Sequence, residues 1–478
     1  MLKFPCLFAA LLLSFSALAS WEVLYKEFLQ RNSILKINQA KLEQSNIDLE
    51  SFYGMYDFVV SGSYSYMNDQ KDVLSPFQPR GTINDTATLN LARQFSWGGS
   101  LEFVNSLSHN DISNWNPALR NGRPNDIYTF SQTLSYSQDL GKNFLGKATQ
   151  AQEDSSLAKQ KLAEVSLTIE NQQKVFEFYQ AYLNVKLQKT LMKLQEEALL
   201  RSEKRRDLIS RRVRDGLREK VDLYQAEIGL KTQQEALQST KATLVESLTS
   251  LGILLEREVS IEEIPIFTRQ ERIALEEQPQ LFENNLDLKQ LQKQVDFLEA
   301  QLEKTKWDRM PDLSLRVSYT TNEIDSQQSK ALSDGTLGGQ NDEKVIAVNW
   351  SYPLENTMSR SAHNKNRVEK RILSYQRKVL ENRLKLRSNE VHQKIVSHFN
   401  NIQLAREKVR FAEKAIKGLS RLYSLGKADL DRVIGAEEQL ITTQNNLARS
   451  MMSYRVLEAT EKKLEGTLLE QMMQERDQ

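Results

Sequence analysis

The sequence has 478 residues, in which 64 Lys and Arg nearly balance 63 Asp and Glu, so the net charge is +1. This balance argues against a nucleic-acid-binding protein, which would carry an excess or a stripe of basic residues. Charged residues reach 27% of the chain, with only 18 Gly and 9 Pro, a composition typical of long solvated helices rather than of a compact α/β enzyme. Cys6 is the only cysteine, which excludes an internal disulfide and a cysteine-based zinc site.

The N-terminal residues have the pattern of a secretory signal. Lys3 precedes an apolar run at 7–13, and Ala17-Leu18-Ala19 supplies a small-residue cleavage site, so residues 1–19 are predicted to be a signal peptide. The apolar run is well short of the ~20 residues that span a bilayer. A secreted bacterial protein without transmembrane helices is soluble in the periplasm, released, or an outer-membrane β-barrel.

The first of two sequence patterns in the chain is that of long helices. Residues 147–214 contain no Pro or Gly, and their apolar residues recur at spacings of three and four, which predicts one long helix with an apolar stripe. At ~1.5 Å per residue its length is about 100 Å. A second long helix is predicted at 358–423. Shorter helices are predicted at 21–52, 220–255, 286–306 and 429–473.

The second sequence pattern is the alternation of apolar and polar residues in short segments. Val60, Tyr64 and Tyr66 alternate with Ser61, Ser63 and Ser65, and five further segments repeat this pattern. Short turns and long polar loops connect the segments in an order that favours transmembrane β-strands with one lipid-facing and one water-facing side. A soluble sandwich gives similar alternation. The predicted strands are 57–67, 86–95, 100–109, 126–138, 312–321 and 343–352.

The two halves of the sequence repeat one pattern. Gly216 is followed ten residues later by Ala226-Glu227, and Gly426 is followed at the same distance by Ala436-Glu437. Residues 57–64 also align with 312–319, so each half contains a helix, strands, a long helix, a glycine turn and a helix. The predicted organisation is a first repeat at 20–255, a crossover linker at 256–280, a second repeat at 281–473 and a tail at 474–478.

This order of elements, with the glycine-turn motif and the signal peptide, resembles the TolC-like outer-membrane efflux proteins over residues 21–469. The resemblance implies an α+β membrane protein in which three copies share one transmembrane β-barrel and a long α-helical coiled-coil tunnel in the periplasm. It implies a passive exit duct of a tripartite efflux or type I secretion system in the outer membrane. The partners would be a periplasmic adaptor (a membrane fusion protein) and an inner-membrane pump or ABC transporter.

The number of predicted strands departs from the family pattern. Six strands cannot close a channel by themselves, and open sheet edges are not viable in lipid, so several copies must share one barrel. The resemblance implies four strands from each of three copies, whereas six strands from each would make 18. Either the barrel is wider here, or the hairpin at 86–109 folds outside it.

The glycine turns are the predicted functional site. The resemblance implies that Gly216-Leu217 and Gly426-Lys427 contact the adaptor and lie where the tunnel closes; glycine suits the left-handed backbone of such turns. Relatives carry acids six and nine residues after the second glycine, but this sequence has Arg432 and Gly435 there. The segment 201–220 mixes Arg with acids, which is typical of a solvated face. Candidate constriction residues are Asp222, Asp429, Asp431 and Arg432, since charged rings select ions.

Sequence motifs of catalysis are absent. The chain has no phosphate-binding GxxxxGK loop and no HExxH, and His392 and His398 are six residues apart, which separates them on a helix. The pairs Met451-Met452 and Met472-Met473 suit helix packing. We therefore expect neither an enzyme nor a cofactor or metal site. The alternative function is a non-conducting structural or adhesive protein that spans the periplasm and is anchored in the outer membrane.

Overall fold

The computed structural model describes residues 21–72, 81–112, 124–271, 273, 275, 282–338 and 341–470. The predicted signal peptide and C-terminal tail, Met472-Met473 and much of the end of the crossover linker lie outside these residues. The helices are α1 Trp21–Arg31, α2 Ser33–Tyr53, α3 Lys147–Arg214, α4 Lys220–Leu255, α5 Leu286–Trp307, α6 Gln328–Asp334, α7 Thr357–Ser424 and α8 Leu430–Glu465. The strands are β1 Val59–Asp69, β2 Thr82–Gln94, β3 Gly99–Ile112, β4 Asp126–Asp139, β5 Asp312–Asp325 and β6 Asp342–Ser351.

The chain divides into two compact units. Unit 1 comprises the described residues up to Lys41, then Ser166–Lys289 and those from Lys378 onward. Unit 2 comprises Leu42–Val165 and Gln290–Arg377. The long helices α3 and α7 therefore each contribute residues to both units.

The single helix predicted at 21–52 is two helices, α1 and α2. The break is at Asn32, whose side-chain oxygen accepts hydrogen bonds from the backbone N–H groups of Ile34 and Leu35 at 3.1 Å each. This is helix N-capping, which ends one helix and begins the next. The Asn32 amide also donates to the carbonyl of Leu254 at 2.9 Å. The prediction failed because a buried asparagine interrupts an otherwise helical pattern.

Helix α8 also differs from its predicted range of 429–473, because it ends at Glu465. Gly466 has a left-handed backbone with φ of 80°, and its N–H donates to the carbonyls of Lys462 and Lys463. A β-carbon at Gly466 would come 2.1 Å from the carbonyl oxygen of Asn284. The close approach of another segment therefore requires glycine here, and glycine in this conformation ends the helix.

Unit 1 is held by one large apolar core to which α1, α3, α4, α7 and α8 contribute. Phe28 and Phe178 are fully buried and stack with ring centroids 4.3 Å apart. Burial of one such side chain contributes about 1.5–3 kcal/mol. Arg257, just after α4, binds Glu27 of α1 through Nε and Nη2, both at 2.8 Å. The start of the crossover is thereby fixed to α1.

Unit 2 contains one antiparallel sheet with the strands in chain order, β1 to β6. The hairpin predicted at 86–109 is β2–β3, which pairs with β1 on one side and with β4 on the other. It is therefore an integral part of this sheet. Toward the long loops, β1, β2, β3 and β5 extend beyond their predicted ends, as in the pairing of Thr82 with Ile112, because backbone hydrogen bonds do not need apolar side chains. At the opposite end, β1 begins at Val59 rather than at 57. The loop predicted after β5 contains α6.

Among the described helices, none combines the length and the apolar character that crossing a membrane would take.

Candidate functional site

The strand register places apolar and polar side chains on opposite faces of the sheet. Cross-strand partners such as Leu91 and Phe103, or Val317 and Ile346, share one face. Many apolar side chains on this face are exposed: Val60 67%, Tyr64 70%, Leu89 53%, Ile346 75%, Val348 64% and Trp350 67%. The opposite face carries mostly Ser, Thr and Asn. An exposed apolar face of this size marks a surface for lipid or for another protein.

Aromatic side chains lie toward both ends of the apolar face. Trp97, Tyr136 and Trp350 lie toward the end of the sheet that carries the short β2–β3 turn, and all three are more than a third exposed. Toward the long loops, Tyr64 and Tyr66 are exposed by 70% and 59%. Such flanking aromatic residues are typical of strands that cross a membrane, where amphipathic rings lie at the two interfaces.

A polar row crosses the apolar face and is covered by the segment around α6. The Gln132 amide donates to Asn105 at 2.7 Å, and its oxygen accepts the backbone N–H of Leu337 at 2.9 Å. The Thr321 hydroxyl donates to the carbonyl of Gly335 at 3.1 Å and is fully buried. The Gln132 amide is thus paired with Asn105 and with the backbone after α6, and the Thr321 hydroxyl with that same backbone, as buried polar groups require.

An ion pair lies on the polar face. Arg316 on β5 reaches Glu102 on β3 at 3.3 Å and the Ser135 hydroxyl on β4 at 3.2 Å. Asn90 on β2 donates to the other carboxylate oxygen of Glu102 at 3.1 Å. The Glu102 carboxylate and Arg316 thus link four neighbouring strands, β2 to β5. Both charged side chains remain partly exposed on this face.

The two glycine turns, residues 215–219 and 425–429, have the same backbone geometry. Gly216 and Gly426 have φ of 73° and 71°. In the first turn, Leu217 N–H donates to Arg212 O at 2.8 Å and Gly216 N–H to Val213 O at 3.2 Å. In the second turn, Lys427 N–H donates to Leu422 O at 2.9 Å and Gly426 N–H to Tyr423 O at 3.1 Å. Both turns are Schellman motifs, which satisfy the last carbonyls of α3 and α7.

Arg212 links the two glycine turns. Its guanidinium donates to the carbonyls of Tyr423 and Ser424, at 3.2 and 2.9 Å, in the last turn of α7. A cation at a helix C-terminus interacts favourably with the helix dipole. Arg212 and Arg218 also lie 5.4 and 5.2 Å from the centre of the Tyr423 ring. Burial raises the pKa of Tyr423, whose hydroxyl has no hydrogen-bond partner among the described residues.

A small apolar cluster beneath the turns brings the predicted site residues together. It contains Ile209 and Ala226 from the first turn region, and Tyr423, Leu430 and Val433 from the second. Of the candidate constriction residues, Asp429, Asp431 and Arg432 are exposed, as are Gly216, Leu217, Gly426 and Lys427. Asp222 differs because it is half-buried and lies 3.7 Å from Arg218.

Asp429 is the N-cap residue of α8, with φ of −83° and ψ of 157°, but its side chain makes no capping hydrogen bond. Asp431 is in the first turn of the same helix. Acidic groups at this end of a helix are stabilised by its dipole. Two exposed carboxylates are therefore available at the second glycine turn.

Arg205 is a residue that the sequence assigned to a solvated face and that is instead buried. Its side chain is 7% exposed and forms an ion pair with Glu437 of α8. It also donates to the Ser202 hydroxyl at 3.0 Å. The solvated-face interpretation of 201–220 is therefore wrong at this position, because α8 covers it. The only sequence feature that could have singled out Glu437 was the Ala-Glu motif that follows each of the two turn glycines at the same distance.

No protein-family model matches the sequence, and no curated protein matches it either. Solved structures do match. VceC of Vibrio cholerae, described as an outer membrane protein, has a TM-score of 0.69 at 16% identity, with 94% of this chain and 96% of VceC covered. CusC, described with transmembrane channel formation, has a TM-score of 0.67 at 14% identity, with 93% and 92% covered. The open outer membrane channel MtrE of Neisseria gonorrhoeae has a TM-score of 0.68 at 11% identity, with 94% and 90% covered. The chain therefore has the fold of the outer-membrane efflux channels of the TolC-like family.

Proposed function

We propose that the protein is a passive channel of the outer membrane that serves as the exit duct of a tripartite efflux or type I secretion system. Three copies form one β-barrel from their sheets and one helical tunnel in the periplasm. The shared fold with VceC, CusC and MtrE supports this proposal. The protein would perform no chemistry, and the energy for export would come from an inner-membrane pump or ABC transporter joined through a periplasmic adaptor.

The observation that carries the proposal is the two-faced sheet with its open edges. Within the described residues, β1 and β6 each pair on one side only, and both carry exposed apolar side chains. In lipid, the free backbone groups of such edges must be paired. Three copies joined edge to edge would make a closed barrel of 18 strands, with the apolar faces toward lipid and the polar faces, including Glu102 and Arg316, toward water.

Exposed apolar stripes on two helices support assembly with further copies. On α7, Val368, Ile372, Tyr375, Val379 and Leu386 are all about half exposed or more. Their spacings of four, three, four and seven residues match the seam of a coiled coil. Near the first glycine turn, Val221, Tyr224 and Ile228 of α4 are 58–67% exposed. In the proposed trimer, the helices of neighbouring copies cover these stripes.

The deciding experiment measures the conductance of the purified protein in a planar bilayer, together with its mass in detergent. We expect a trimer with stable single-channel openings. A trimer with rare openings that become frequent in glycine-turn variants would also support the duct, since it indicates a closed gate. A monomer without conductance would overturn the duct and favour the structural or adhesive alternative.

We further propose that the two glycine turns contact the adaptor and that the acids beside Gly426 line the constriction. The exposed carboxylates of Asp429 and Asp431 would form a negatively charged ring in a trimer, which favours cations. The double variant Asp429→Asn/Asp431→Asn is expected to lose cation preference and block by divalent cations. Glu407→Gln, which removes one exposed acid of α7, is the matched control. Unchanged selectivity and cation block in the double variant would exclude these acids from the constriction.

A further inference from the structure

A half-enclosed cavity of about 260 Å³ lies in unit 1 where α3, α4 and α8 meet. Its wall includes Arg201 and Arg205 from α3, Gly229 from α4 and Glu437 from α8. Of its lining residues, only Asp431 and one member of the exposed α4 stripe have a role in the proposed channel. Its basic side chains are two arginines whose hydrogen-bonding capacity is only partly used.

One edge of the Arg201 guanidinium group has N–H groups without hydrogen-bond acceptors in the described part of the chain. Its Nε and Nη2 atoms are buried, and neither has a hydrogen-bond partner among the described residues. Across the same part of the chain, no carboxylate lies within ion-pair distance of Arg201. These two nitrogens form one edge of the planar guanidinium, the edge that binds both oxygens of a carboxylate in a bidentate pair. Arginine keeps its charge when buried, so the missing acceptors are not replaced by loss of a proton.

Arg205 adds a further donor to the same cavity. Its charge is balanced by the ion pair with Glu437, and one nitrogen donates to Ser202. Its Nε atom is buried without an acceptor. The space is kept open opposite it by Gly229, where an added β-carbon would lie 3.4 Å from Arg205 Nη2. The cavity thus has room for a small molecule beside two arginines that together carry three buried N–H positions without an acceptor among the described residues.

The acids of the cavity wall indicate which anions fit. Asp431 and Glu438 belong to the cavity lining and are exposed. Their negative charge opposes a dianion more strongly than a monoanion. We propose that this cavity binds a small monocarboxylate, with its two oxygens on Nε and Nη2 of Arg201, after a modest shift of the side chains that cover these atoms. A molecule that also carries an ammonium group would gain from Asp431 and Glu438, so small amino acids are the favoured ligands.

Binding is tested by calorimetric titration of the full-length protein purified in detergent, at constant ionic strength. The probes are sodium acetate, glycine and sodium phosphate, with sodium chloride as the reference. Saturable binding is expected for acetate and tighter binding for glycine, with phosphate weaker than both. Heats for acetate and glycine that equal those for chloride would overturn the proposal. Phosphate binding more tightly than acetate and glycine would overturn the assignment to monocarboxylates.

Two variants and one control locate the site. Arg201→Gln removes the bidentate edge and is expected to weaken acetate binding at least tenfold. Gly229→Leu fills the cavity while keeping every charge, and it is expected to abolish binding. Lys204→Gln removes a positive charge from an exposed position on the same helix and should leave affinity within twofold. Equal affinity in the wild type and both cavity variants would place any bound carboxylate elsewhere. Binding does not depend on conduction, so this result is independent of the channel proposal.

Discussion

Replacement of Gly426 by Ala should loosen the second glycine turn without any steric clash. A β-carbon at this position would meet nothing within 4 Å, and φ is +71°. The cost is therefore the left-handed backbone alone, about 1–2 kcal/mol for a residue with a side chain. If the turn opens locally, this cost raises the exchange rates of its amides about 5- to 30-fold. Hydrogen–deuterium exchange of peptides that cover residues 410–432, followed by mass spectrometry, measures this change.

Two further variants serve as controls for the effect of Gly426→Ala on amide exchange. Gly418 lies in the interior of α7, has ordinary helical φ and also has nothing within 4 Å of an added β-carbon. Gly418→Ala should therefore slow exchange, since Ala is more stable than Gly in a helix by about 1 kcal/mol. Gly426→Asn should lie between the wild type and Gly426→Ala, because Asn tolerates the left-handed region. Equal exchange in Gly426→Ala and the wild type would refute the conformational argument.

Three further outcomes test the packing of unit 1. Arg257→Gln should expose the α1 amides to faster exchange by removing charged hydrogen bonds worth about 1.5–3 kcal/mol, whereas Arg31→Gln, at an exposed ion pair with Glu27, should change little. Phe178→Ala should lower stability by about 3–5 kcal/mol, measured as the thermal midpoint in detergent; a change no larger than that of a surface variant would contradict its place in the core. Burial raises the pKa of Glu461 above its ordinary value of 4.5, so the folded protein loses stability as pH rises from about 4.5 through the higher pKa. The thermal midpoint of Glu461→Gln, measured relative to that of the wild type, should therefore increase as pH rises. A difference in thermal midpoint that does not change with pH would exclude this linkage.

The elements with strong local patterns were predictable from the sequence. The observed bounds of α3 and α4, Lys147–Arg214 and Lys220–Leu255, coincide with the predicted ones, because helical periodicity is continuous up to the glycine turn. The position of α6 was not predictable. Its segment is held by Gln132 and Thr321, which belong to two different strands. The helix has only seven residues, of which Ala331 and Leu332 alone are apolar, so it carries no periodic signal of its own.

The candidate site likewise contains features that were predictable from the sequence and features that were not. The glycine turns follow from local chemistry, because a left-handed residue between two helices favours glycine. Arg212 and Arg205 depend on groups more than 200 residues away, namely the Tyr423 carbonyl and the Glu437 carboxylate. An Arg-rich helical segment looks the same in a single sequence whether its side chains face water or another helix. Only the fold distinguishes these arginines from their solvated neighbours.

The even number of strands has a consequence for how such a sheet can vary. In an antiparallel sheet of six strands in chain order, the two edge strands run in opposite directions. In the proposed assembly, β6 of one copy would therefore meet β1 of the next as an antiparallel neighbour, whatever the number of copies. The β2–β3 hairpin preserves this parity because it adds two strands at once, whereas a single added strand would reverse one edge and make the junction parallel. A lineage can thus widen such a sheet by hairpins without redesigning the junction between copies.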